Sequence, residues 1–483
     1  MKNPLLPIPE IGAAPGAAPS PADAERTRRA RVMFAVLSTV FMALLDVFIV
    51  NVAFPAIARH FSATETTRLS WLLNAYAIVF AALLVPAGRW ADRWGRRRIF
   101  LAGLALFTVA SALCAGAISV GMLIGARVLQ AIGAALLSPA ATALLLLEFP
   151  PGKRSSAVAL LVTVGGVAAA LGAPVGGLLS QLSWHWVFLV NLPTGVAAWI
   201  VGARALRENR GPADRQAADL TGAVLLMATV GCLVLGTVKG GEWGWTSPAV
   251  IGCGVATLLL GVGFVRRAQW HPAPVVELPM LRERTFAAAN ASALLFASAF
   301  GALILANVIF MARVWQSSPW RLGLQLAPGP LAAAALALLV GRWCERWSPR
   351  PFAVAGALFF LLGCFWFRRN LGPVPRYLNE FLPGSILTGL GVGLSLPSVS
   401  SAALVSLPPS RLSTGAAVLT MSRQIGTALG VAILVAIIGD ATASSGLGRF
   451  RIAYATMGLA ALGSGAAAFG LAAPKQNSPP NGG

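Results

Sequence analysis

The sequence predicts an all-α polytopic membrane protein with fourteen transmembrane helices. Its 483 residues are 57% hydrophobic and 11% charged, whereas an average soluble domain has about 45–50% apolar and about 25% charged residues. Fourteen apolar runs are each long enough to cross about 30 Å of hydrocarbon as a helix. A loop sequence that recurs in the second half indicates two six-helix bundles separated by a two-helix insert. This composition excludes a soluble enzyme of any size.

The predicted spans follow one another with short connections, which leaves no room for a large soluble domain. An even number of spans places both termini on the same side of the membrane. The spans lie near 33–55, 70–88, 99–118, 121–147, 155–180, 186–203, 220–238, 248–265, 286–311, 323–341, 352–367, 381–404, 412–438 and 452–472.

The distribution of basic residues predicts the orientation. With the N-terminus inside, the inside segments contain 25 of the 37 Lys and Arg residues, the outside segments contain 10, and two arginines lie within spans. Cytoplasmic loops carry an excess of Lys and Arg in membrane proteins. We therefore predict that both termini are cytoplasmic and that the chain lies in the cytoplasmic (inner) membrane, with the lipid bilayer as its surroundings.

One internal repeat predicts the domain organisation. Residues 88–97 read GRWADRWGRR and residues 341–350 read GRWCERWSPR, which are identical at six of ten positions. The separation is too long for six helices and suits eight. We predict a disordered cytoplasmic tail (1–32), an N-terminal six-helix bundle (33–205), a two-helix insert with flanking loops (206–285), a C-terminal six-helix bundle (286–472) and a cytoplasmic tail (473–483).

Other binding classes are not favoured. The net charge of +21 comes from small basic clusters between apolar runs, which does not predict nucleic-acid binding. The five cysteines form no CxxC pair and are expected to be free thiols. His60, His185 and His271 are far apart in the sequence, so no metal site and no cofactor is predicted.

Two charged residues deep in spans are the strongest functional candidates. Asp46 is the one carboxylate well inside a predicted span, where a charge costs about 2.5–3.5 kcal/mol on insertion scales. At about 1.5 Å per residue, Asp46 and Arg127 lie at the same depth, and Gln130 shares the helix face of Arg127. We predict that Asp46 binds and releases a proton and that Arg127 adjusts its proton affinity. The alternatives are a permanent tether for Asp46 and bonding of Arg127 to helix carbonyls.

A third deep charge, Arg423, has no obvious acidic partner. It lies near the middle of the thirteenth span and is followed by Gln424. It is expected either to bind an anionic or polar part of a substrate or to satisfy backbone carbonyls. Further polar residues in spans are candidates for lining a substrate cavity: Asn51, Asn74, Tyr76, Gln130, Asn290, Asn307 and Gln325.

Several motifs point to one family. They are the repeat loop with Gly88, Asp92, Arg93, Gly95, Arg96 and Arg97; LDVFIVNVAFP at 45–55; Arg127 in ARVLQAIGAA; Gly172, Pro174, Gly176 and Gly177 in LGAPVGG; and WHWVFLVNLP at 184–193. Together they resemble the major facilitator superfamily and, within it, the fourteen-helix drug:proton antiporters of the EmrB/QacA type. The resemblance covers nearly the whole chain beyond residue 30.

The resemblance implies the major facilitator fold and a function. It implies a proton-coupled bacterial exporter of amphipathic small molecules or drugs, a gating role for the loop at Asp92 and an antiporter motif at Gly172–Gly177. The proton gradient would supply the energy, and a host with two membranes would allow a periplasmic adaptor and an outer-membrane channel as partners. The sequence departs from the family where Ala173 precedes Pro174, and where Glu345 and Ser348-Pro349 stand in the second loop.

Rival functions are distinguished by the residues in the spans. A dedicated exporter of one metabolite, lipid or siderophore would have the same fold and is not separated from a drug exporter by the sequence. An intramembrane enzyme would need a catalytic His, Ser or metal constellation inside a span, and none is visible. A transport-inactive sensor would not need Asp46 and Arg127 at one depth.

Overall fold

The protein is described by a computed structural model that covers residues 21–61, 71–209, 219–272, 274–317, 319–438 and 446–471. These residues form helices and short connections, without strands in the described ranges. Fourteen long helices, numbered α1 to α14, correspond in order to the fourteen predicted spans. The first and last stretches, 1–20 and 472–483, lie outside the described residues, as does most of the predicted loop between the N-terminal bundle and the insert.

The first six helices form the N-terminal bundle. They are α1 (Pro21–His60), α2 (Trp71–Trp94), α3 (Arg96–Ala115), α4 (Val120–Leu147), α5 (Arg154–Leu182) and α6 (Asn191–Ala205). The predicted sixth span contains a break, because a separate turn of helix at Trp186–Leu189 precedes α6. The insert consists of α7 (Leu220–Trp243) and α8 (Pro248–Trp270), which pack against each other.

The last six helices form the C-terminal bundle. They are α9 (Arg284–Arg313), α10 (Pro328–Arg346), α11 (Pro349–Asn370), α12 (Leu382–Val405), α13 (Leu412–Ile438) and α14 (Gly446–Ala468). Short helical segments at Leu278–Arg282, Pro319–Leu326 and Tyr377–Phe381 precede α9, α10 and α12. Thirteen helices in the described ranges are long and apolar enough to cross a membrane. The remaining one, α14, contains Arg449 and Arg451 in its first turns and packs against α9 and α11.

The N-terminal tail differs from the prediction. Helix α1 begins at Pro21, so the part of the predicted disordered tail from residue 21 onward is helical. Arg28 explains this extension, because its guanidinium pairs with Glu25 one turn away at 2.6 Å and with Glu148 at the end of α4 at 2.8 Å. A sequence pattern of charged residues before an apolar run does not reveal such a tertiary ion pair.

The two bundles repeat the same internal packing. Gly103 on α3 faces Gly133 on α4 so closely that a Cβ added at Gly133 would lie 2.8 Å from the Gly103 carbonyl oxygen. Gly356 on α11 and Gly391 on α12 make the equivalent contact, at 2.7 Å from a Cβ on Gly391 to the Gly356 oxygen. Small residues let membrane helices approach closely. The shared contact supports a common origin of the two halves.

The bundles meet along two seams. In the first seam α2 packs against α13, and in the second α5 packs against α10. Gly88 lies against Ser413 and Ala417 in the first seam, and Gly341 lies against Ser155 and Ala159 in the second. The insert covers the first seam, because α7 packs against both α2 and α13. We call the two ends of the molecule the Asp92 end, which is the predicted cytoplasmic side, and the His60 end.

Candidate functional site

A buried polar cluster joins α1, α4 and α6 inside the N-terminal bundle. Arg127 Nη1 donates to Asp46 Oδ2 at 2.6 Å, which forms an ion pair. Gln130 Nε2 and Asn191 Nδ2 donate to the other carboxylate oxygen, Oδ1, at 3.0 and 2.7 Å. All four residues are between 0% and 1% exposed. The negative charge is therefore held by one cation and two amide groups in a place without solvent.

The cluster extends to α2 and α3. Ser111 Oγ accepts hydrogen bonds from Asn191 Nδ2 at 3.0 Å and from Gln130 Nε2 at 3.3 Å, and it donates to the Phe188 carbonyl oxygen at 2.9 Å. The Arg127 guanidinium carbon lies 4.2 Å from the centre of the Tyr76 ring on α2. Arg127 Nε is buried without a hydrogen-bond partner in the described structure. The guanidinium thus has an ion pair on one side and an aromatic face on another.

The structure brings the predicted pair together and adds residues that the sequence did not assign. Asp46, Arg127 and Gln130 meet, although Gln130 was expected to line a cavity and is instead buried in the cluster. Tyr76 was also a cavity candidate and covers Arg127. Asn191 was part of a recognised motif without a role, and Ser111 gave no signal, because contacts between α1, α3 and α6 are tertiary.

The Asp92 latch is the contact of Asp92 and Arg96 with the start of α13. Asp92 Oδ2 accepts hydrogen bonds from the backbone N–H and the hydroxyl of Thr414, both at 2.8 Å, and Oδ1 accepts from the Ser413 N–H at 3.3 Å. Arg96 Nη2 pairs with Asp92 Oδ1 at 2.6 Å and also donates to the Pro409 carbonyl oxygen. A carboxylate from one bundle therefore caps a helix N-terminus of the other, where the helix dipole favours negative charge.

The rest of the predicted gating motif divides between two places. Gly88 lies in the seam between the bundles, as does the latch. Gly95 adopts φ of 115° and has the Glu208 carboxylate next to it, and Arg97 donates to the Ala203 carbonyl oxygen at 2.7 Å. Gly95 therefore leaves room for the Glu208 carboxylate, and Arg97 holds the loop against the end of α6 within its own bundle. Arg93 is half-buried.

The second copy of the loop contacts the opposite bundle in the same manner. Ser156 in the first turn of α5 donates its hydroxyl to Glu345 at the end of α10. Next to it the hydroxyls of Ser155 and Ser401 are 2.6 Å apart. The acidic residue of each loop copy thus bonds to the first turn of a helix in the other half, which closes both seams at the Asp92 end.

A further carboxylate bridges the two bundles near the latch. Glu277, in the segment between the insert and α9, lies 3.4 Å from Arg89 Nη1 on α2 and 2.5 Å from Arg411 Nη2 just before α13. It is half-buried. Because Arg89 and Arg411 belong to different bundles, any separation of the bundles at this end must break one of the two pairs.

The glycines of the predicted antiporter motif lie beside Asp46 on the helix pair α1 and α5. Gly172 contacts Phe48, and a Cβ added at Gly176 would lie 3.1 Å from the Ile49 Cα. Gly177 has open space around it, and Pro174 is half-buried within α5. Gly172 and Gly176 therefore fix the distance between α5 and the part of α1 that carries Asp46.

The remaining cavity candidates are spread over both bundles. Asn51 is exposed, and its side-chain amide donates to the Val47 carbonyl oxygen at 2.7 Å. Asn307 is buried inside the C-terminal bundle, where it accepts a hydrogen bond from the Tyr454 hydroxyl at 2.9 Å. Asn74, Arg423 and Gln424 are half-buried. The structure therefore leaves Asn51, Asn74, Arg423 and Gln424 available to a cavity and withdraws Asn307 from it.

Two of the three histidines meet at the His60 end. The rings of His60 and His185 are 5.8 Å apart, and the Trp184 ring stacks on His185 at 3.9 Å. The Ser183 hydroxyl lies 2.7 Å from His185 Nδ1. Burial, together with the neighbouring His60, lowers the pKa of His185 below its usual value.

Comparison with known proteins identifies the family. The model of the Major Facilitator Superfamily matches residues 36–220 and 286–483, and the gap between the two matched segments contains α7, α8 and the segment with Glu277. The chain belongs to the Major Facilitator Superfamily. It is a membrane transporter rather than an enzyme, in agreement with the expectation from the sequence.

Several relatives are bacterial export and resistance proteins. The chain is 32% identical to the tetracenomycin C resistance and export protein of Streptomyces glaucescens, over 87% of this chain and 78% of that protein. It is 33% identical to the puromycin resistance protein pur8 of Streptomyces alboniger, over 85% and 82% of the two chains. It is 32% identical to the cephamycin export protein CmcT of Amycolatopsis lactamdurans, over 84% of each.

A solved structure has the same superfamily fold. The crystal structure of the human organic anion transporter MFSD10 (TETRAN) matches with a TM-score of 0.65 over 90% of this chain and 99% of that chain, at 17% identity. The predicted all-α major facilitator fold is thus confirmed, and at this level of identity the likeness concerns the fold alone.

Proposed function

We propose that this chain is a proton-coupled antiporter that exports amphipathic small molecules or drugs across the cytoplasmic membrane. The observation that carries this proposal is the ion pair between Asp46 and Arg127, buried in the spans and completed by Gln130 and Asn191. An ionisable residue inside the membrane is expensive and marks proton pathways in transporters. Both termini are cytoplasmic in this proposal.

The two oxygens of Asp46 have different roles in the proposed cycle. Oδ1 is held by the amides of Asn191 and Gln130, whereas Oδ2 bonds to Arg127. A proton arriving at Oδ2 replaces the Arg127 bond and neutralises the carboxylate. The buried guanidinium then lacks a counterion, a state that costs about 3–5 kcal/mol when one partner of a buried pair is removed. Protonation therefore drives Arg127 and its helix to a new position.

Tyr76 connects the proton site to the Asp92 latch. The Tyr76 ring covers the Arg127 guanidinium, and Asp92 lies further along the same helix, α2. A continuous helix extends by 1.5 Å per residue and transmits a tilt along its length. Displacement of Arg127 therefore shifts α2 in the α2–α13 seam and weakens the hydrogen bonds of Asp92 to Ser413 and Thr414. The bundles then separate at the Asp92 end and close at the His60 end, which is alternating access.

The membrane potential supplies enough free energy for this cycle. One site such as Asp46 implies about one proton per cycle, and one charge moving through 100 mV releases about 2.3 kcal/mol. For a neutral substrate this supports an outward gradient of about fifty-fold.

A dedicated exporter of one natural product is the second candidate. Three of the relatives are named for resistance to, or export of, a single antibiotic: tetracenomycin C, puromycin and cephamycin. The proton mechanism is the same in both cases. A transport panel in everted vesicles, with and without a proton gradient, separates the two functions by the number of unrelated compounds that are moved. In a host with two membranes, an adaptor and an outer-membrane channel are further proposed partners.

Proton release from purified protein tests the proposal. Adding a transported compound to the unbuffered protein should release about one proton per molecule in the wild type and none in Asp46→Asn. Glu148→Gln is the matched control, because Glu148 is also paired with an arginine, Arg28, but lies at the end of α4. It should release protons normally. Undiminished release from Asp46→Asn would show that another group carries the proton.

A further inference from the structure

The packing of α13 loosens beyond residue 419. Every residue of α13 from 412 to 419 is buried, whereas residues 420–425 and 427–429 are all partly exposed. Helix α13 is surrounded by α2, α4 and α7 on one side and by α9, α12 and α14 on the other. These residues therefore lie where α13 is less tightly packed by its neighbours, on the His60 side of the latch.

Arg423 lies in this less tightly packed stretch. The side chain is half-buried, and no residue in the described ranges gives it a hydrogen bond or an ion pair. Its neighbour Ser422 is bonded to Asn290 on α9 at 2.9 Å, so α13 itself is fixed. Thr420 and Thr427, three residues before and four after, share the face of Arg423 and are also partly exposed.

The net fixed charge inside the spans of the two bundles is positive, whether Asp46 is ionised or protonated. In the C-terminal bundle, the described acidic residues Glu283, Glu345 and Glu380 lie at helix ends and in connections. In the N-terminal bundle the charge of Asp46 is cancelled by Arg127. Arg423 therefore leaves one net positive charge in the spans when Asp46 is ionised, which is the state that a substrate exchanging with the proton binds. In a medium of low dielectric constant this charge repels cations and attracts anions.

We propose that the transported substrate is an amphipathic anion whose acidic group binds Arg423. This inference rests on the proposed export function and adds the substrate class. A guanidinium forms two parallel hydrogen bonds to a carboxylate or a sulfonate, and the substrate then supplies the counterion that the protein does not. Thr420 and Thr427 lie on the same helix face as Arg423, and the apolar part of the substrate packs against the partly exposed residues of this stretch.

The charge of the substrate determines how much charge crosses the membrane in each transport cycle. Export of a monoanion in exchange for one entering proton moves two positive charges inward per cycle. Collapsing the membrane voltage at constant pH difference should therefore slow the export of such a substrate.

Binding without any gradient tests this inference separately from coupling. The probes are 2-naphthoate, 4-phenylbutyrate and cholate, their uncharged primary amides, and 2-naphthylmethylamine as a cation. The readout is the shift of thermal unfolding of the full chain in lipid nanodiscs over a concentration series. The expected result is that at least one acid binds, that its amide binds about 10- to 100-fold more weakly, and that Arg423→Gln removes this difference.

Two variants keep the test specific. Arg313→Gln removes a charge from an exposed arginine at the end of α9 and should bind the acid as the wild type does. Arg423→Lys, which keeps the charge without the two parallel bonds, should retain part of the affinity. The inference is overturned if acids and amides bind equally, if Arg423→Gln binds the acid normally, if the amine binds and no acid does, or if no acid binds at all. Acid binding that survives in Asp46→Asn while proton release is normal there would refute the coupling role and leave this inference standing.

Discussion

Replacing Asp92 by Asn should open the Asp92 end of the protein. If the amide oxygen keeps the Oδ1 position against Arg96, the amide nitrogen takes the Oδ2 position, where it faces the N–H and hydroxyl of Thr414. The Thr414 N–H then faces another donor, and the hydroxyl can only accept a weaker bond from the neutral amide. Two hydrogen bonds to a charged acceptor are lost, at about 1.5 kcal/mol each. Both connect one bundle to the other. The equilibrium between closed and open forms at this end should therefore shift by about 3 kcal/mol, which is about 100-fold.

Thiol labelling measures this shift. Ser401 is buried at the closed seam and bonded to Ser155, so a Ser401→Cys variant in a background without the native cysteines reports opening to an impermeant maleimide. In everted vesicles its labelling rate should rise by about 100-fold with Asp92→Asn, or to the limit of a fully open form.

Asp219→Asn is the matched control for the latch. Asp219 is equally buried at the same end, caps α7 through the Gly222 N–H at 2.8 Å and pairs with Arg267 at 3.1 Å. These contacts lie within the insert and do not cross between bundles. In the Asp219→Asn variant, the labelling rate of Ser401→Cys should stay near that of the parent protein. Equal labelling in the Asp92→Asn variant and its parent, or an equal rise in Asp219→Asn, would refute the latch mechanism.

Three further predictions concern topology, the proton site and the bridge between bundles. Reporter fusions at Trp243 should read outside and those at Pro349 inside, and an inside signal at Trp243 would rule out two membrane-crossing insert helices. Asn191→Ala removes the 2.7 Å hydrogen bond to Asp46 and should reduce gradient-driven export several-fold, because Oδ1 loses one of its two amide donors and the buried carboxylate is less firmly positioned. Unchanged export would contradict the proposed role of Oδ1. Glu277→Gln weakens the ion pairs with Arg89 and Arg411. Both arginines are partly exposed, so each pair contributes at most about 1 kcal/mol, and the labelling rate of Ser401→Cys should rise less than it does with Asp92→Asn. A larger rise than with Asp92→Asn would contradict this ranking.

The sequence predicted those features that depend on helix geometry alone. The length of apolar runs and the repeated loop predicted the helices and their grouping, since a membrane span needs a minimum apolar length. The equal depth of Asp46 and Arg127 and the shared face of Arg127 and Gln130 followed from the rise and twist of a helix.

Features that depend on contacts between helices were not predictable in this way. The start of α1 at Pro21 depends on the pair between Arg28 and Glu148. Lys239 follows the end of the predicted seventh span at residue 238, but it is buried in α7, where its ammonium lies 4.9 Å from the Trp71 ring and 2.5 Å from Glu242. The bond from Asn191 to Asp46 likewise joins residues far apart in the sequence. None of these contacts produces a periodic pattern in the sequence from which it could be predicted.

The insert makes the surroundings of the two seams unequal. Helix α7 covers the α2–α13 seam, with Lys239 against Trp71 and Gly241 against Val435. On the other flank, α5 and α10 expose leucines to the surroundings, among them Leu178 and Leu331. An amphipathic compound dissolved in the bilayer therefore meets a boundary between the bundles directly on one flank and a shielding helix on the other. We expect compounds from the lipid to enter sideways between α5 and α10. The protein, although built from two similar halves, then has its lipid-facing entrance on one flank.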